Sequence, residues 1–274
     1  MLYLFLIFTH SDPNWTLAWS DEFDYNGLPD SRYWNYEVGY VRNNEKQYYM
    51  KADPRNSRVE NGYLIVEAHH DEDHEINNTK YDYSSASLFT KGKVNFLYGK
   101  FESYLRVPPG KGTWPALWMV GIVTPVWPQK GEIDIMEYVG KDPKKLHTTL
   151  HMPGDHYPPE YSITNSLSQD NTTDTFHNMT LVWSSQRLTM YIDNYESLHY
   201  DRPSTATSDN FPFDWPYYLI CNLAIGGSWG GDIDESIFDH NVRYYVDYIR
   251  YYIDMNDPNQ EKSWEILNNS INKR

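Results

Sequence analysis

The 274-residue chain carries a net charge of −15 and a single cysteine, Cys221. One cysteine excludes an intrachain disulfide. The acidity sets the overall field against nucleic-acid duplexes and sulfated polymers, and no Lys/Arg cluster stands in the sequence to oppose it. The length suits one large all-β domain with a sizeable core. The 25 Tyr and 10 Trp suit strands, and equally a carbohydrate groove in which flat rings stack on sugar faces.

At the amino terminus, "MLYLFLIFTH" holds an apolar run from Leu2 to Phe8. Residues 1–11 read as the remnant of a secretion signal, although a basic n-region and a small-residue cleavage site are missing. The run is too short to span a membrane, and no later segment approaches that length, so a secreted protein without a membrane span is expected. Sequons at Asn14, Asn77, Asn171, Asn178 and Asn268 permit glycosylation without demanding it.

One domain is expected over residues 12–254, followed by a polar tail at 255–274 with room for one short helix. Helical periodicity is poor in between. Strand patterns dominate: "YLIVEAHH", "SASLFTKG", "YGKFESYLRVP", "TWPALWMVG", "GEIDIMEYVG", "LHTTLHM", "FHNMTLVWS", "RLTMYIDN", "PYYLICNLAI" and "RYYVDYIRYYI". Gly, Pro, Asn and Asp turns separate them. Many strands without intervening helices predict a β-sandwich of large curved sheets. The "HHDEDHE" run, His69 to Glu75, has metal-binding residue types, but it leads into loop-like sequence and reads as a solvated acidic loop. Cys221 sits in an apolar strand pattern, which predicts a buried, inert thiol.

"GEIDIMEYVG" carries Glu132, Asp134 and Glu137 within six residues. On a helix the two glutamates would point about 140° apart. On a strand Glu132 and Asp134 share a face, and Glu137 has the wrong parity to join them. One extra residue, a β-bulge at Met136, corrects this and turns Ile133 and Ile135 into the core. Glu132 and Glu137 are then about 13 Å apart along the strand, and side chains leaning together leave about 5 to 6 Å between carboxyls. Retaining glycosidases hold their pair about 5 to 5.5 Å apart, whereas inverting ones leave space for a water. Three acids on one face cannot all ionise freely, so one keeps its proton as a general acid while another attacks the anomeric carbon. Asp134, between them, helps set the difference. The same residues also fit a solvated strand face or a calcium site.

"GEIDIMEYVG" resembles the active-site signature of family 16 glycoside hydrolases in the bulged form of laminarinases. "YGKFESYLRVPPGKGTWPALWMVG", "RNNEKQYYM", "VENGYLIVEA", "FHNMTLVWS", "YYLICNLAIGGSWGG", "YVDYIRYY" and "WSDEFDYNGLPDSRYWNYEVG" resemble further blocks of that family, in order, over Trp15 to Tyr252. The resemblance implies a β-jelly-roll sandwich of the concanavalin A-like lectin/glucanase type with an open concave cleft. It implies endo-hydrolysis of β-glucan with retention, with Glu132 as nucleophile, Glu137 as acid/base and Asp134 as helper, and no cofactor for catalysis. It further implies substrate contacts at Asn44, Gln47, Trp114, Trp118, His151 and Trp229. His147 and Thr149 share the parity of His151, so all three are expected at the cleft. A structural calcium is implied at Glu22, the Gly62 carbonyl and Asp247. Many relatives carry Arg where this chain has Tyr104, which changes a substrate contact if that strand face lines the cleft.

Three functions compete at this stage. An endo-β-1,3-glucanase acting on laminarin-like or mixed-linkage glucan is expected, because all three acids are present. A non-catalytic glucan-recognition protein usually lacks them. A galactan hydrolase shares the acidic signature, but "RNNEKQYYM" and "GGSWGG" resemble the glucanase side. The partner is the polysaccharide alone, with no nucleic acid and no membrane, and a monomer is expected.

Overall fold

The structure is a computed structural model that describes residues 13–124, 126–154, 160–168, 170 and 172–272. The expected leader and the Asn171 sequon lie outside the described residues. Strands form two sheets facing each other across one core. The seven-stranded sheet runs through Glu160–Ser168, Lys145–Pro153, Glu132–Tyr138, Thr113–Gly121, Tyr217–Ile225, Ser87–Phe89 and Asn35–Tyr36. The ten-stranded sheet is built on Tyr195–Asp201, Arg187–Ile192, His177–Trp183, Gly99–Arg106, Val242–Asp254 and Tyr63–Ile76, with Thr79–Ser85 and Gln47–Tyr49 beyond. Trp15–Asp21 and Ser57–Glu60 pair alongside. This is the jelly-roll sandwich that the resemblance implied, and the sheets do not close into a barrel.

Alternation decides which side chains fill the sandwich. In Gly99–Arg106, Phe101, Ser103 and Leu105 are buried, while Lys100, Glu102, Tyr104 and Arg106 point outward. In the strand bearing the acids, Ile133 and Ile135 are buried against Leu117, Met119 and Leu150 in the same core. Each such side chain contributes about 1.5–3 kcal/mol by leaving water, which pins the register and thereby the direction of the acids between them. Trp183 is fully buried and donates its indole N–H to the Phe213 carbonyl at 3.0 Å, so the core keeps a large ring without orphaning its donor.

One expectation changes, and two points that the sequence left open are decided. The "HHDEDHE" run is not a loop. It belongs to the Tyr63–Ile76 strand, which turns back through Asn77 and Asn78, both at positive φ, into Thr79–Ser85. Its Asp71 is buried, bonded to Arg55 and Ser84. Tyr104 faces outward from the ten-stranded sheet, where it packs with Phe176 and Tyr248, so the Arg-to-Tyr departure lies away from the cleft. The segment after residue 254, expected as a polar tail with room for one short helix, carries that helix. Its helix Glu261–Ile271 docks on the sandwich, Leu267 joining the main core and Ser270 Oγ accepting the Asn95 N–H at 3.2 Å. No described helix is long and apolar enough to cross a membrane.

Candidate active site

The outer face of the seven-stranded sheet holds a cavity of about 610 Å³ whose walls include Glu132, Asp134 and Glu137. The expected bulge is present. Pairing with Thr113–Gly121 slips between Asp134 and Met136, so Ile135 and Met136 together oppose Leu117 and both turn into the core. The residue left without a partner in that register is Ile135, one position before the expected Met136. Beyond the slip, Glu137 returns to the face of Glu132 and Asp134.

The antiparallel register then supplies each acid with neighbours. Glu132 lies opposite Val120 and His151, Asp134 opposite Trp118 and Thr149, and Glu137 opposite Ala116 and His147. His151 Nε2 is 3.1 Å from Asp134 Oδ2 and 3.8 Å from Glu132 Oε1. A side-chain oxygen or nitrogen from each of these three residues lies within 4.8 Å of the other two. Trp114 donates its indole N–H to Glu137 Oε1 at 3.1 Å, and Trp118 donates to Asn222 Oδ1 at 2.7 Å. Asn222 in turn donates to the buried Tyr49 hydroxyl at 3.0 Å, which donates to Glu45 at 3.1 Å.

Burial and mutual repulsion hold protons on the cluster. The Glu137 carboxyl is pushed from its ordinary 4.5 to about 8, first by desolvation and then by Asp134, against the opposing Trp114 hydrogen bond. Desolvation and Asp134 also raise Glu132 well above the usual range, while His151 and a hydrogen bond from Trp127 favour its charged form. Burial lowers the His147 pKa and so favours a neutral imidazole beside Glu137; its ring meets Trp229 edge to face at 5.1 Å.

Of the expected substrate residues, Trp114, Trp118, His151 and Trp229 line the cavity together with the acids. Trp229 meets Trp114 at 89° and 5.5 Å, so the glycine-flanked ring forms one wall. Asn44 and Gln47 are not on that wall. Gln47 is 0% exposed, and its amide instead donates to Glu45 and accepts the Ile225 N–H. Asn44 is exposed outside the lining, and its neighbours Arg42, Asn43 and Glu45 take the place expected of it. Asn43 and Asn44 both have positive φ, so strand alternation cannot forecast which side chain turns inward. Thr149 lines the cavity as its parity predicts, and His147 packs behind it.

Sequence reasoning missed Arg42, Trp127, Lys130, Tyr218 and Asn222. Tyr218 and Asn222 share their face with Trp118 through the register with Thr113–Gly121, a signal available only once the strands are paired. Trp127 comes from an irregular segment, is 43% exposed and lies with its ring centroid 5.8 Å from that of His151.

The expected calcium positions do not fit a metal centre. Both carboxylate oxygens of Glu22 accept hydrogen bonds from Arg250 at 2.7–3.2 Å, so that acid already has its cation. Burial raises the Asp247 carboxyl, Arg250 opposing the rise and Glu22 adding to it. Calcium enters no step below.

The family model described as glycosyl hydrolases family 16 matches residues 33–254. A β-glucanase of Rhodothermus marinus is 40% identical over 254 residues, covering 88% of this chain and 86% of the relative. A glucan endo-1,3-β-glucosidase of Cryptopygus antarcticus is 35% identical over 269 residues, covering 91% and 96%. The X-ray structure of the laminarinase from Rhodothermus marinus superposes with a TM-score of 0.79 at 37% identity, covering 88% of this chain and 98% of that one.

Proposed function

The chain belongs to glycosyl hydrolases family 16 and hydrolyses β-1,3(4)-glucan internally, and we propose that it does so with retention of configuration, Glu132 acting as nucleophile and Glu137 as acid/base. The observation that carries the paired-carboxylate reading is the bulge at Ile135 and Met136, which sets both glutamates on the cleft face with Asp134 between them; which glutamate takes which role follows their positions in the family motif.

In the first step the Glu132 carboxylate attacks the anomeric carbon. Glu137, protonated up to about pH 8, passes its proton to the departing glycosidic oxygen. A glycosyl ester on Glu132 results. In the second step Glu137, now ionised, takes a proton from the water that attacks the same carbon, and Glu132 leaves. Two displacements at one carbon return the original configuration. Burial and Asp134 raise Glu132 too, and His151 and the Trp127 N–H oppose that rise, favouring the charged form needed for attack. Asp134, 2% exposed and beside His151, acts on both glutamates, its charge favouring a proton on each, Glu137 before the first step included. Trp114 favours the charged state of Glu137 that follows proton transfer. Trp114, Trp118 and Trp229 offer ring surface for sugar faces. We place the action outside the cell, where a polymer too large to cross a membrane is met.

The test is reducing-sugar release from laminarin, barley mixed-linkage glucan and agarose, with Glu132→Gln as control, and proton NMR of the first product anomer. Release from laminarin that vanishes in the variant, with β-anomer first, is expected. First-formed α-anomer would overturn retention. Release from agarose alone would keep the chemistry and overturn the substrate.

A further inference from the structure

At one end of the cleft, two cations have no acid of their own. Lys130 lines the cavity two residues before Glu132. Lys91 carries its Nζ 5.4 Å from the ring centroid of Tyr218, another residue of the same wall. Apart from that ring contact, neither ammonium has a hydrogen-bond or ion-pair partner among the described residues. Arg42 completes the group. Its guanidinium packs 5.0 Å from the Trp118 ring, one nitrogen is spent on Glu37, and Nη1 is buried without a partner.

The neighbouring acids are already committed. Glu37 accepts from Arg42 on one oxygen and from Ser87 Oγ, at 2.6 Å, on the other. Glu45 accepts from Asn43, Gln47 and Tyr49. Glu132 belongs to the proton-sharing cluster. Burial first, then the nearby charge of Lys91, depress the Lys130 pKa, Glu132 opposing the fall and Arg42 adding to it. Ammonium groups can donate hydrogen bonds to the hydroxyls of a neutral glucan, but two of them side by side without a carboxylate suit an anion better. In a protein of net charge −15 it is the more unusual to leave them so.

We propose that this end of the cleft is a subsite for an anionic substituent, a carboxylate or a sulfate ester, carried by the β-1,3-glucan chain and received by Lys130 and Lys91, with the Arg42 guanidinium adding positive charge behind them. The proposal rests on the reading of the cleft as a glucan site, and it deepens that reading from a bare glucan to one bearing acidic groups. The three cations come from positions 42, 91 and 130. Only the fold assembles them.

The test compares kcat/KM on laminarin, carboxymethyl laminarin and laminarin sulfate for the wild type, Lys91→Gln, Lys130→Gln and the double variant. The readout is the ratio of each derivative to laminarin, so a general loss of activity cancels. Each single variant is expected to lower the ratio about three- to fivefold, as loss of one partly exposed ion pair does, and the double variant to lower it further. A fall with one derivative identifies carboxylate or sulfate as the anion. Ratios that stay within about twofold of wild type in both single variants, or that rise, overturn the subsite. Calorimetric titration of the same polymers into Glu132→Gln, with and without the two lysine changes, gives the comparison without turnover. Failure of the wild type to cleave laminarin would strike the glucanase reading instead, and the titration would still decide the subsite.

Discussion

Glu137 keeps its proton at a pH where an exposed glutamate has lost it, and two measurable consequences follow. The first concerns rate. As general acid it must be protonated in the free enzyme, so kcat/KM on laminarin is expected to fall as pH rises through about 8. Trp114→Phe removes the hydrogen bond that favours the ionised form, so this alkaline limb should move upward, by about one unit. A limb that stays in place or moves down would separate Trp114 from the titration. The second concerns stability. The folded-state value lies above the ordinary 4.5, so between the two the native state binds a proton that the unfolded state gives up. Stability contributed by that proton is complete below about pH 4.5 and declines as pH rises toward 8. Glu137→Gln, which needs no proton to stay neutral, is therefore expected to melt higher than wild type at pH 8 and nearer to it at pH 4.5. The same variant should lose about 10²- to 10⁴-fold in turnover of laminarin. The loss should shrink on aryl glucosides, whose leaving group needs no proton. Equal losses on both substrates would remove Glu137 from the acid role.

The element that makes this chemistry available is one strand with one irregularity. Its two-residue period was legible: Glu132 and Asp134 share a face, Ile133 and Ile135 oppose them, and the wrong parity of Glu137 demanded a bulge. Register added what no period contains, namely that the slip leaves Ile135 rather than Met136 without a partner. Where the backbone leaves the β region the period says nothing. There the family resemblance implied Asn44 and Gln47 at the cleft, while the turn at Asn43 and Asn44 delivers Asn43 and Glu45. Deleting Ile135 removes the extra residue and leaves Met136 alternating with Asp134 and Glu137, so a regular strand still turns all three acids to the cleft and laminarin hydrolysis is expected to persist. Deleting both Ile135 and Met136 puts Glu137 three positions from Glu132, at core parity, and hydrolysis is expected to drop by at least the amount seen for Glu137→Gln, with a lower melting temperature. Native activity in the double-deletion variant would mean that strand parity does not place the acid/base.

At the scale of the whole molecule, what the sequence concealed was long-range pairing. The jelly roll could be expected from strand patterns and family resemblance, because alternation is local. The joining of Lys91 to Lys130, the Arg250 grip on Glu22, and the docking of the last helix all depend on segments far apart in the chain meeting after folding. The helix is the clearest case. Glu261–Ile271 is polar on most of its surface, which is why it reads as a tail, yet Leu267 is 1% exposed within the main core and Trp264, Ile266 and Ile271 pack beside it. Its N-terminal approach is fixed by Asp257, which accepts the Asn259 N–H at 2.9 Å, and by Gln260, which accepts the Asp254 N–H at 2.9 Å. That docking joins the segment to the sandwich as part of one cooperative unit. Leu267→Ala removes a buried side chain and leaves a cavity, so it is expected to cost about 2–5 kcal/mol. In a domain of this size that lowers the melting temperature by roughly 4–20 °C. The cleft lies on the outer face of the opposite sheet, so kcat/KM on laminarin at 25 °C should be unchanged. Denaturant unfolding followed by tryptophan fluorescence checks the cost. A midpoint equal to wild type would show that the helix contributes nothing to the fold and that the cooperative unit ends near residue 254.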